Sequence, residues 1–162
     1  MIKAIMAVDQ MWGVGKNGTL PWPANKEDLL QFKNKTTGHI VVMGSNTWFD
    51  PCFPAPLKNR VNVVATSDSS RFQDGSTLTT NTPLETIKDL SERLPEKDIW
   101  IIGGPNLLNQ CWDLIEEVHL TIVKGHYECD KFIDLNILED KFTLIQGDVT
   151  NDNCYYIYRR AL

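Results

Sequence analysis

Short apolar runs alternate with amphipathic segments through the first two thirds of the chain. The apolar runs are nearly continuous and rich in β-branched residues, which is typical of strands buried on both faces of a parallel sheet. These predicted strands cover residues 2–8, 39–44, 61–67 and 98–104. The segments between them have helical spacing or helix start signals, and the predicted helices cover residues 25–36, 45–48, 82–94 and 105–115.

Two of these helices have clear start signals. Asn25 is a suitable N-cap for the first helix. In the third, Thr82 is the expected N-cap, Pro83 the first helical residue, and Glu85 completes a capping box. The residues of the first helix that we expect to face inward are Leu29, Leu30 and Phe32.

The last third of the chain has apolar or alternating segments with no long helix between them, at residues 117–123, 142–146 and 154–160. Antiparallel strands at the edge of a mostly parallel sheet have this pattern. Repeats, low-complexity tracts and long linkers are absent. The sequence therefore predicts one α/β domain over residues 1–162, with a mostly parallel central sheet, a β-rich antiparallel C-terminal end and helices on both faces.

The composition, 42% apolar and 23% charged, is ordinary for a soluble globular protein. A net charge of −5 argues against nucleic acid as a partner. No apolar run approaches the ~18 residues of a membrane span, and the first run has no cleavage-site pattern. The cysteines and histidines are scattered without ligand spacing. We therefore expect free thiols, no metal and a cytoplasmic protein.

The stretch WGVGKNGTLPWP has the G-x-G-x-x-G spacing of a dinucleotide-binding turn, formed by Gly13, Gly15 and Gly18. Such a turn opens a helix, whereas here Pro21 and Pro23 hold the chain extended. A phosphate-binding P-loop is excluded because no Lys-Ser/Thr pair follows the glycines. This loop therefore needs a role other than capping a phosphate-binding helix.

Two other glycine turns, Gly44 and Gly103-Gly104, lie where predicted strands end and helices begin. The amides of such turns can face phosphate at the carboxyl edge of a sheet. Two of them in one small domain suit a pyrophosphate-linked dinucleotide. The alternative is that each glycine only allows a strand and a helix to pack tightly.

Asp28 and Arg60 are the charged side chains of interest. Asp28 stands among apolar residues, which would raise its pKa and suit it to acid–base chemistry or to binding a cationic ligand. The alternative is that the helix dipole alone favours an acid there. Arg60 is either a solvated loop charge or a bidentate partner for a carboxylate. The apolar residues near Asp28 in the sequence are Leu20, Trp22, Leu29, Leu30 and Phe32.

The segment from Gly13 to Phe32 resembles the dihydrofolate reductase family, in which a G-x-x-G-x-L-P-W loop leads into a helix that carries one acid. The likeness continues in order through VVMGSNTW, PLKNRVNVVATS, IWIIGG and LTIV, and spans nearly the whole chain. The resemblance implies reduction of 7,8-dihydrofolate to 5,6,7,8-tetrahydrofolate, with hydride transfer from NADPH to C6 of the pterin and protonation at N5. It also implies that the glycine-rich loop is a mobile flap over the two reacting rings.

The resemblance further implies roles for individual residues. Asp28 would bind the pterin edge with both oxygens and favour proton delivery to N5 through water, Thr121 would hydrogen-bond Asp28, and Trp22 would wall the pocket. These three are the implied catalytic residues. Arg60 would grip the glutamate carboxylate of the substrate. The other implied substrate-binding residues are Ile5, Ala7, Leu29, Phe32, Leu57 and Ile102.

For the cofactor, the family pattern implies contacts along the flap and at the two other glycine turns, with a cis bond between Gly103 and Gly104. The implied residues are Ala7, Val14, Gly15, Gly18, Leu20, Gly44, Ser45, Asn46, Thr47, Thr66, Ser67, Gly103, Gly104, Asn106 and Leu107. Family members usually carry basic residues that bind the 2′-phosphate of NADPH. At those positions this chain has Ser45, Thr66, Ser67 and Asn106. We therefore expect NADPH, keep NADH as the alternative, and note that Arg71 can contribute if its loop folds back.

Two other functions stay open on the sequence. One is a reductase of a ribosylamino-pyrimidine on the same fold, against which Arg60 argues because that substrate has no glutamate tail. The other is a non-catalytic nucleotide- or folate-binding module, against which Asp28 and Trp22 argue. Dihydrofolate is the expected partner, without nucleic acid or membrane, and the expected state is a monomer.

Overall fold

The structure is a computed structural model that describes residues 1–15, 21–72, 75–134 and 136–161. In chain order the strands are β1 (Ile2–Val8), β2 (Gly13–Gly15), β3 (Ile40–Gly44), β4 (Val61–Ala65), β5 (Leu78–Thr80), β6 (Ile99–Gly103), β7 (Glu117–Val123), β8 (Lys131–Phe132), β9 (Phe142–Val149) and β10 (Asn153–Arg160). The helices are α1 (Lys26–Thr36), α2 (Ser45–Trp48), α3 (Pro83–Arg93), α4 (Pro105–Cys111) and α5 (Asn136–Lys141). Every strand and helix predicted above is present, and most bounds are close to those predicted, but α4 ends at Cys111, four residues before the predicted end.

Eight strands form one sheet in the order β5-β4-β3-β6-β1-β7-β10-β9. All neighbouring pairs from β5 to β7 are parallel, whereas β10 pairs antiparallel with both β7 and β9. This confirms the predicted mostly parallel sheet with an antiparallel C-terminal end. β2 and β8 pair with each other in a second, two-stranded sheet. They and β5 were not predicted, because two or three residues are too few to show a strand pattern.

Helices cover both faces of the large sheet, as predicted. On one face, buried strand residues pack with α1 and α2, in a cluster that includes Val41, Met43, Val64, Trp100, Phe32 and Trp48. On the other face they pack with α3, α4 and α5, in a cluster that includes Ile40, Val42, Val63, Ile101, Ile87, Leu107 and Leu138. Successive strand side chains point to opposite faces. Strands covered on both sides therefore need the continuous apolar runs seen in the sequence.

The capping box predicted for α3 is wrong. Thr82 is the N-cap residue and Pro83 the first helical residue, but the Thr82 side chain makes no capping hydrogen bond. The Thr80 hydroxyl instead accepts a hydrogen bond from the Thr82 amide at 3.0 Å and lies 2.7 Å from the Thr86 hydroxyl. The helix start is thus held by the residue that ends β5, which the sequence pattern did not indicate.

The inward face predicted for α1 is also partly wrong. Leu29 and Leu30 are 55% and 58% exposed, while Phe32 packs partly buried against the core. The half-buried residues Asp28 and Lys35 lie on the inner side of the helix instead. An inner face that combines apolar and charged residues has weak amphipathicity, so the leucines were a misleading guide to its orientation.

Candidate active site

The parallel strands β1, β3, β6 and β7 all end at the same edge of the sheet, and α1 begins there. Asn25 is the N-cap of α1, as predicted, and its side-chain oxygen accepts a hydrogen bond from the Asp28 amide at 3.1 Å. This bond satisfies an amide that has no partner within the helix. It also fixes the backbone of Asp28, whose carboxyl group is directed towards β7.

Asp28 and Thr121 meet at this edge. The Thr121 hydroxyl donates a hydrogen bond to Asp28 Oδ1 at 2.7 Å, which is the contact that the resemblance implies. Burial raises the pKa of Asp28 above its ordinary value; the hydrogen bond from Thr121 and the positive charge of Lys35 oppose this shift without cancelling it. A half-buried carboxyl group with a raised pKa exchanges its proton closer to neutral pH than an ordinary aspartate does.

The N-terminal end of α1 is anchored to β10 by Asn153, a residue that the sequence reasoning missed. Asn153 is fully buried, and its side-chain oxygen accepts a hydrogen bond from Asn25 Nδ2 at 2.6 Å. Its Nδ2 donates to Glu27 Oε2 at 3.2 Å and to the Tyr155 hydroxyl at 2.9 Å. The only indication of Asn153 in the sequence was that a polar residue directly precedes the predicted strand at residues 154–160.

Apolar side chains implied to bind substrate come together beside Asp28. Leu57 is buried in the cluster on the α1 side of the sheet, and Ile5, Phe32 and Ile102 pack against it partly buried. Ala7 lies opposite Thr121 in the pairing of β1 with β7. Leu29 is exposed and does not belong to this cluster.

Trp22 is buried, with 8% of its surface exposed. Its ring packs edge-on against Tyr127, with ring centroids 6.1 Å apart. An aromatic pair of this kind holds the indole in one orientation. The described contacts do not include one between Trp22 and Asp28, so its place as a wall of the acid's pocket stays a prediction.

Arg60 lies at the C-terminal end of α1. Its Nη1 donates a hydrogen bond to the Thr36 hydroxyl at 3.1 Å, its Nε donates to the Lys58 carbonyl at 2.9 Å, and its guanidinium lies 5.9 Å from the centre of the Phe32 ring. It is therefore not a freely moving loop charge. These contacts hold it beside the apolar cluster in a defined orientation.

Asn62 fixes the loop that presents Arg60, and it was not singled out from the sequence. Its buried side-chain amide accepts a hydrogen bond from the Leu57 amide at 2.9 Å and donates to the Leu57 and Arg60 carbonyls at 2.9 and 3.1 Å. The sequence did contain an indication of Asn62, which is a polar residue within an apolar strand. Such a residue is buried and needs hydrogen-bond partners inside the protein.

The two glycine turns come together at the same sheet edge. A side chain added to Gly44 would lie 3.9 Å from the Gly103 carbonyl oxygen, and one on Gly103 would lie 3.7 Å from the Thr47 hydroxyl. The bond between Gly103 and Gly104 is cis, which confirms the family expectation. Gly44 and Gly104 are the N-cap residues of α2 and α4. The two glycine turns and the Thr47 hydroxyl, which we call the glycine cradle, therefore lie close together at the starts of two helices.

The other implied cofactor residues that the structure describes lie in β1 and β2, after β3 and β4, and at the starts of α2 and α4. Val14 and Gly15 lie in β2, and Gly18 and Leu20 fall outside the described residues. Ser45, Thr66 and Ser67 follow β3 and β4, and Asn46 and Asn106 are exposed at the starts of α2 and α4. The side chain of Leu107 is buried in the core, so only its backbone can face a ligand.

Arg71 does fold back towards α2. Its guanidinium lies 4.0 Å from the centre of the Phe49 ring, and Phe49 is the C-cap residue of α2. Phe49 in turn contacts Phe72, with ring centroids 5.2 Å apart. A cation is therefore held next to the C-terminal end of α2.

All four cysteines are free thiols. The described part of the chain contains no group of three or more metal-ligating side chains. No helix within it has the length and apolar character that crossing a membrane requires.

Glycine turns and a half-buried carboxyl group at the carboxyl ends of parallel strands are typical of the ligand-binding edge of an α/β protein. Residues 1–159 match the family described as dihydrofolate reductase. The chain is 32% identical over 149 residues to a dihydrofolate reductase of Ureaplasma parvum serovar 3, covering 92% of this chain and 90% of that protein. It is 30% identical over 145 residues to that of Sus scrofa, covering 81% and 77%. It is 27% identical over 168 residues to the type 8 enzyme of Escherichia coli, covering 98% and 95%. The chain belongs to the dihydrofolate reductase family.

Proposed function

We propose that this chain reduces 7,8-dihydrofolate to 5,6,7,8-tetrahydrofolate with a reduced nicotinamide cofactor, and that Asp28 is its pocket acid. The observation that carries the proposal is the hydrogen bond from Thr121 to a half-buried Asp28 whose pKa is raised. The reduction adds a hydride to C6 and a proton to N5 of the pterin. The cofactor supplies the hydride, so the protein and the surrounding water have to supply only the proton.

Asp28 serves both binding and proton supply in this proposal. The pterin edge presents a planar pair of N–H donors, which a carboxylate meets in bidentate fashion. Thr121 orients the carboxyl group, because its hydroxyl donates to Oδ1. Because its pKa is raised, Asp28 holds its proton to a higher pH than an ordinary aspartate does, and water relays a proton from it to N5. Trp22 limits the access of further water.

Apolar contacts and Arg60 position the substrate. Ile5, Phe32, Leu57 and Ile102 form the wall against which the pterin and its aromatic linker pack. Arg60 lies at the end of this wall and binds the carboxylate of the glutamate tail. This favours folate over a ribosylamino-pyrimidine, which has no carboxylate for Arg60 to bind.

The residues at the glycine cradle fit a nicotinamide dinucleotide. The turns at Gly44 and Gly103-Gly104, with the Thr47 hydroxyl, would hold the pyrophosphate, and Ala7, Val14 and Gly15 would contact the nicotinamide and its ribose. The bound cofactor supplies the hydride. What these residues do is hold and orient it against the sheet edge where Asp28 stands.

The direct test is the loss of reduced-nicotinamide absorbance with 7,8-dihydrofolate, measured for NADPH and NADH in parallel. Turnover with dihydrofolate and none with a ribosylamino-pyrimidine supports the proposal. Tight binding of methotrexate without turnover under either cofactor would instead support a non-catalytic folate-binding module. Turnover with the pyrimidine alone would contradict the proposed substrate.

We propose NADPH as the preferred cofactor, with Arg71 as the cation that faces its 2′-phosphate. Arg71→Gln is expected to raise the KM for NADPH by roughly 5–10-fold and to leave the KM for NADH unchanged, because only NADPH carries that phosphate. Ser45→Lys is expected to lower the KM for NADPH, since it adds a cation at the start of α2. Steady-state kinetics with both cofactors measures these changes. Equal effects of Arg71→Gln on the two cofactors would contradict the assignment.

We also propose that the protein is a monomer and that it is located in the cytoplasm. The four free cysteines support a reducing compartment. Analytical ultracentrifugation at micromolar concentration tests the monomer, and fractionation of the source cells tests the location.

A further inference from the structure

The strand beneath α1 carries three buried polar side chains in alternate positions. Glu117, His119 and Thr121 are 5%, 8% and 6% exposed, and alternation along β7 puts all three on the face that α1 covers. Thr121 binds Asp28 near the start of α1. His119 binds Lys35 near its end, with 2.8 Å between Lys35 Nζ and His119 Nδ1. The helix and the strand are thus joined at two polar contacts.

The roles of the atoms in the second contact follow from their chemistry. An ammonium group can only donate hydrogen bonds and a carboxylate can only accept them. Lys35 therefore donates to His119 Nδ1, and His119 Nε2 donates to Glu117 Oε1 at 2.6 Å. The ring is neutral in this arrangement, and burial lowers the pKa of His119 to about 4. A neutral histidine thus holds the lysine and adds no charge of its own.

The charge of Glu117 is balanced by other residues. Arg159 Nη2 lies 3.0 Å from Glu117 Oε2, and Lys3 Nζ lies 3.7 Å from Glu117 Oε1. Lys3 also pairs with Asp98 at 3.1 Å. The N-terminal amine also pairs with Asp98, at 3.5 Å, so three cations offset the two carboxylates at this end of β7. The charge of Lys35 acts on both Glu117 and Asp28, and Asp28 is the acid that lies on the same face of α1.

Asp28 and Lys35 are seven residues apart on one helix, which places them on the same face about 10 Å apart along its axis. Burial raises the pKa of Asp28 and lowers the pKa of Lys35, and the charge of each residue opposes the shift of the other. The other ionisable groups that act on Asp28 or its immediate surroundings are Glu27 on α1 and Tyr155 on β10. Neither of these carries a positive charge.

We propose that Lys35 is a positioning residue for Asp28. Held by His119, it fixes α1 in register with the strand that carries Thr121 and places a positive charge on the inner face of the helix below the pocket carboxyl. This inference deepens the proposed function and rests on the role given there to Asp28. The sequence did not indicate this role of Lys35, because a lysine near the end of a helix is typical of an exposed surface residue.

The test is the pH dependence of hydride transfer in Lys35→Met. Hydride transfer that needs the proton of Asp28 slows as the pH rises past the pKa of that group. Removing the charge of Lys35 favours the protonated acid, so the midpoint of this decline is expected to move up by roughly half a pH unit. Lys35→Arg, which keeps the charge, is expected to stay near the wild-type midpoint. Single-turnover kinetics with deuterated cofactor isolates the step.

Lys33→Met is the matched control. Lys33 lies on the same turn of α1 with an exposed side chain, so this variant removes the same charge from the solvent side of the helix. Its midpoint is expected to match that of wild type. Equal midpoints for Lys35→Met, Lys33→Met and wild type would overturn the proposal, and so would an equal shift in both lysine variants.

A readout that does not depend on turnover separates this inference from the proposed function. The titration of the Asp28 carboxyl carbon, followed by NMR in the protein without ligands, is expected to shift upward in Lys35→Met. His119→Phe keeps an aromatic ring at the position that packs edge-on against Trp100, and it removes the nitrogen that accepts the hydrogen bond from Lys35. His119→Phe is expected to shift the Asp28 titration upward by less than Lys35→Met does. The double variant is expected to titrate like Lys35→Met alone. An unshifted Asp28 titration in Lys35→Met overturns the inference even if the chain reduces dihydrofolate. A shifted titration in a protein that shows no turnover supports the inference and contradicts only the proposed function.

Discussion

Asp28→Asn is expected to lower kcat/KM for dihydrofolate by about 10²–10⁴-fold at neutral pH, the range for loss of a positioned acid or base. An asparagine side chain has nearly the same shape and can still accept the hydrogen bond from Thr121. It cannot carry a proton for delivery to N5, and it replaces one of the two carboxylate acceptors that meet the pterin edge. Steady-state turnover and single-turnover hydride transfer measure the loss.

The control for this prediction is Asp113→Asn, which changes an exposed aspartate beyond the end of α4 in the same way. It is expected to keep wild-type turnover. Retention of more than about a tenth of wild-type kcat/KM by Asp28→Asn would contradict the role of Asp28 as pocket acid, because that loss is smaller than general acid catalysis accounts for.

The same variant has an expected effect on stability. Burial raises the pKa of Asp28, so the folded protein holds this proton to a higher pH than the unfolded chain does. The ionised group therefore opposes folding at neutral pH, and this cost disappears as the pH falls below the ordinary pKa of an aspartate. Asp28→Asn is expected to raise Tm at neutral pH, with the gain shrinking in acid. Thermal unfolding across pH tests the sign, and an equal gain at all pH values would contradict it.

Arg60→Gln is expected to raise the KM for dihydrofolate roughly 10–100-fold with little change in kcat. A hydrogen bond to a charged group contributes about 1.5–3 kcal/mol, which corresponds to that factor in affinity. The contact is to the glutamate tail, remote from C6 and N5, so it binds ground state and transition state alike. Arg60 is already held by Thr36 and by the Lys58 carbonyl, so little ordering is needed when substrate binds.

A truncated substrate provides the control for Arg60. A dihydropterin that lacks the glutamate carboxylates is expected to give the same KM with wild type and Arg60→Gln. Lys58→Met, which removes an exposed charge from the same loop, is expected to leave the KM for dihydrofolate unchanged. A decrease in kcat without an increase in KM for Arg60→Gln would contradict a role in gripping the tail.

Contacts with neighbours along the chain determined most of what could be predicted. The strand and helix pattern, the cap of α1 by Asn25 and the antiparallel end of the sheet all follow from the periods and residue types of short segments. The ordered family motifs added Asp28, Thr121, Arg60 and the cis bond at Gly103. The predictions that failed, the capping box of α3 and the buried leucines of α1, depended on how a local element meets its surroundings.

Only the tertiary structure decided which polar residues meet. Asp28 and Thr121 are 93 residues apart, and Lys35 and His119 are 84 residues apart. The second pair could not be read from composition or spacing, because it exists only where the strand order puts β7 beneath α1. The sequence by itself determined the longer strands and helices and singled out Asp28. The packing of helix on strand decided which lysine, histidine and asparagine contact the helix that carries Asp28, since buried polar groups take the partners that the fold brings within hydrogen-bond distance.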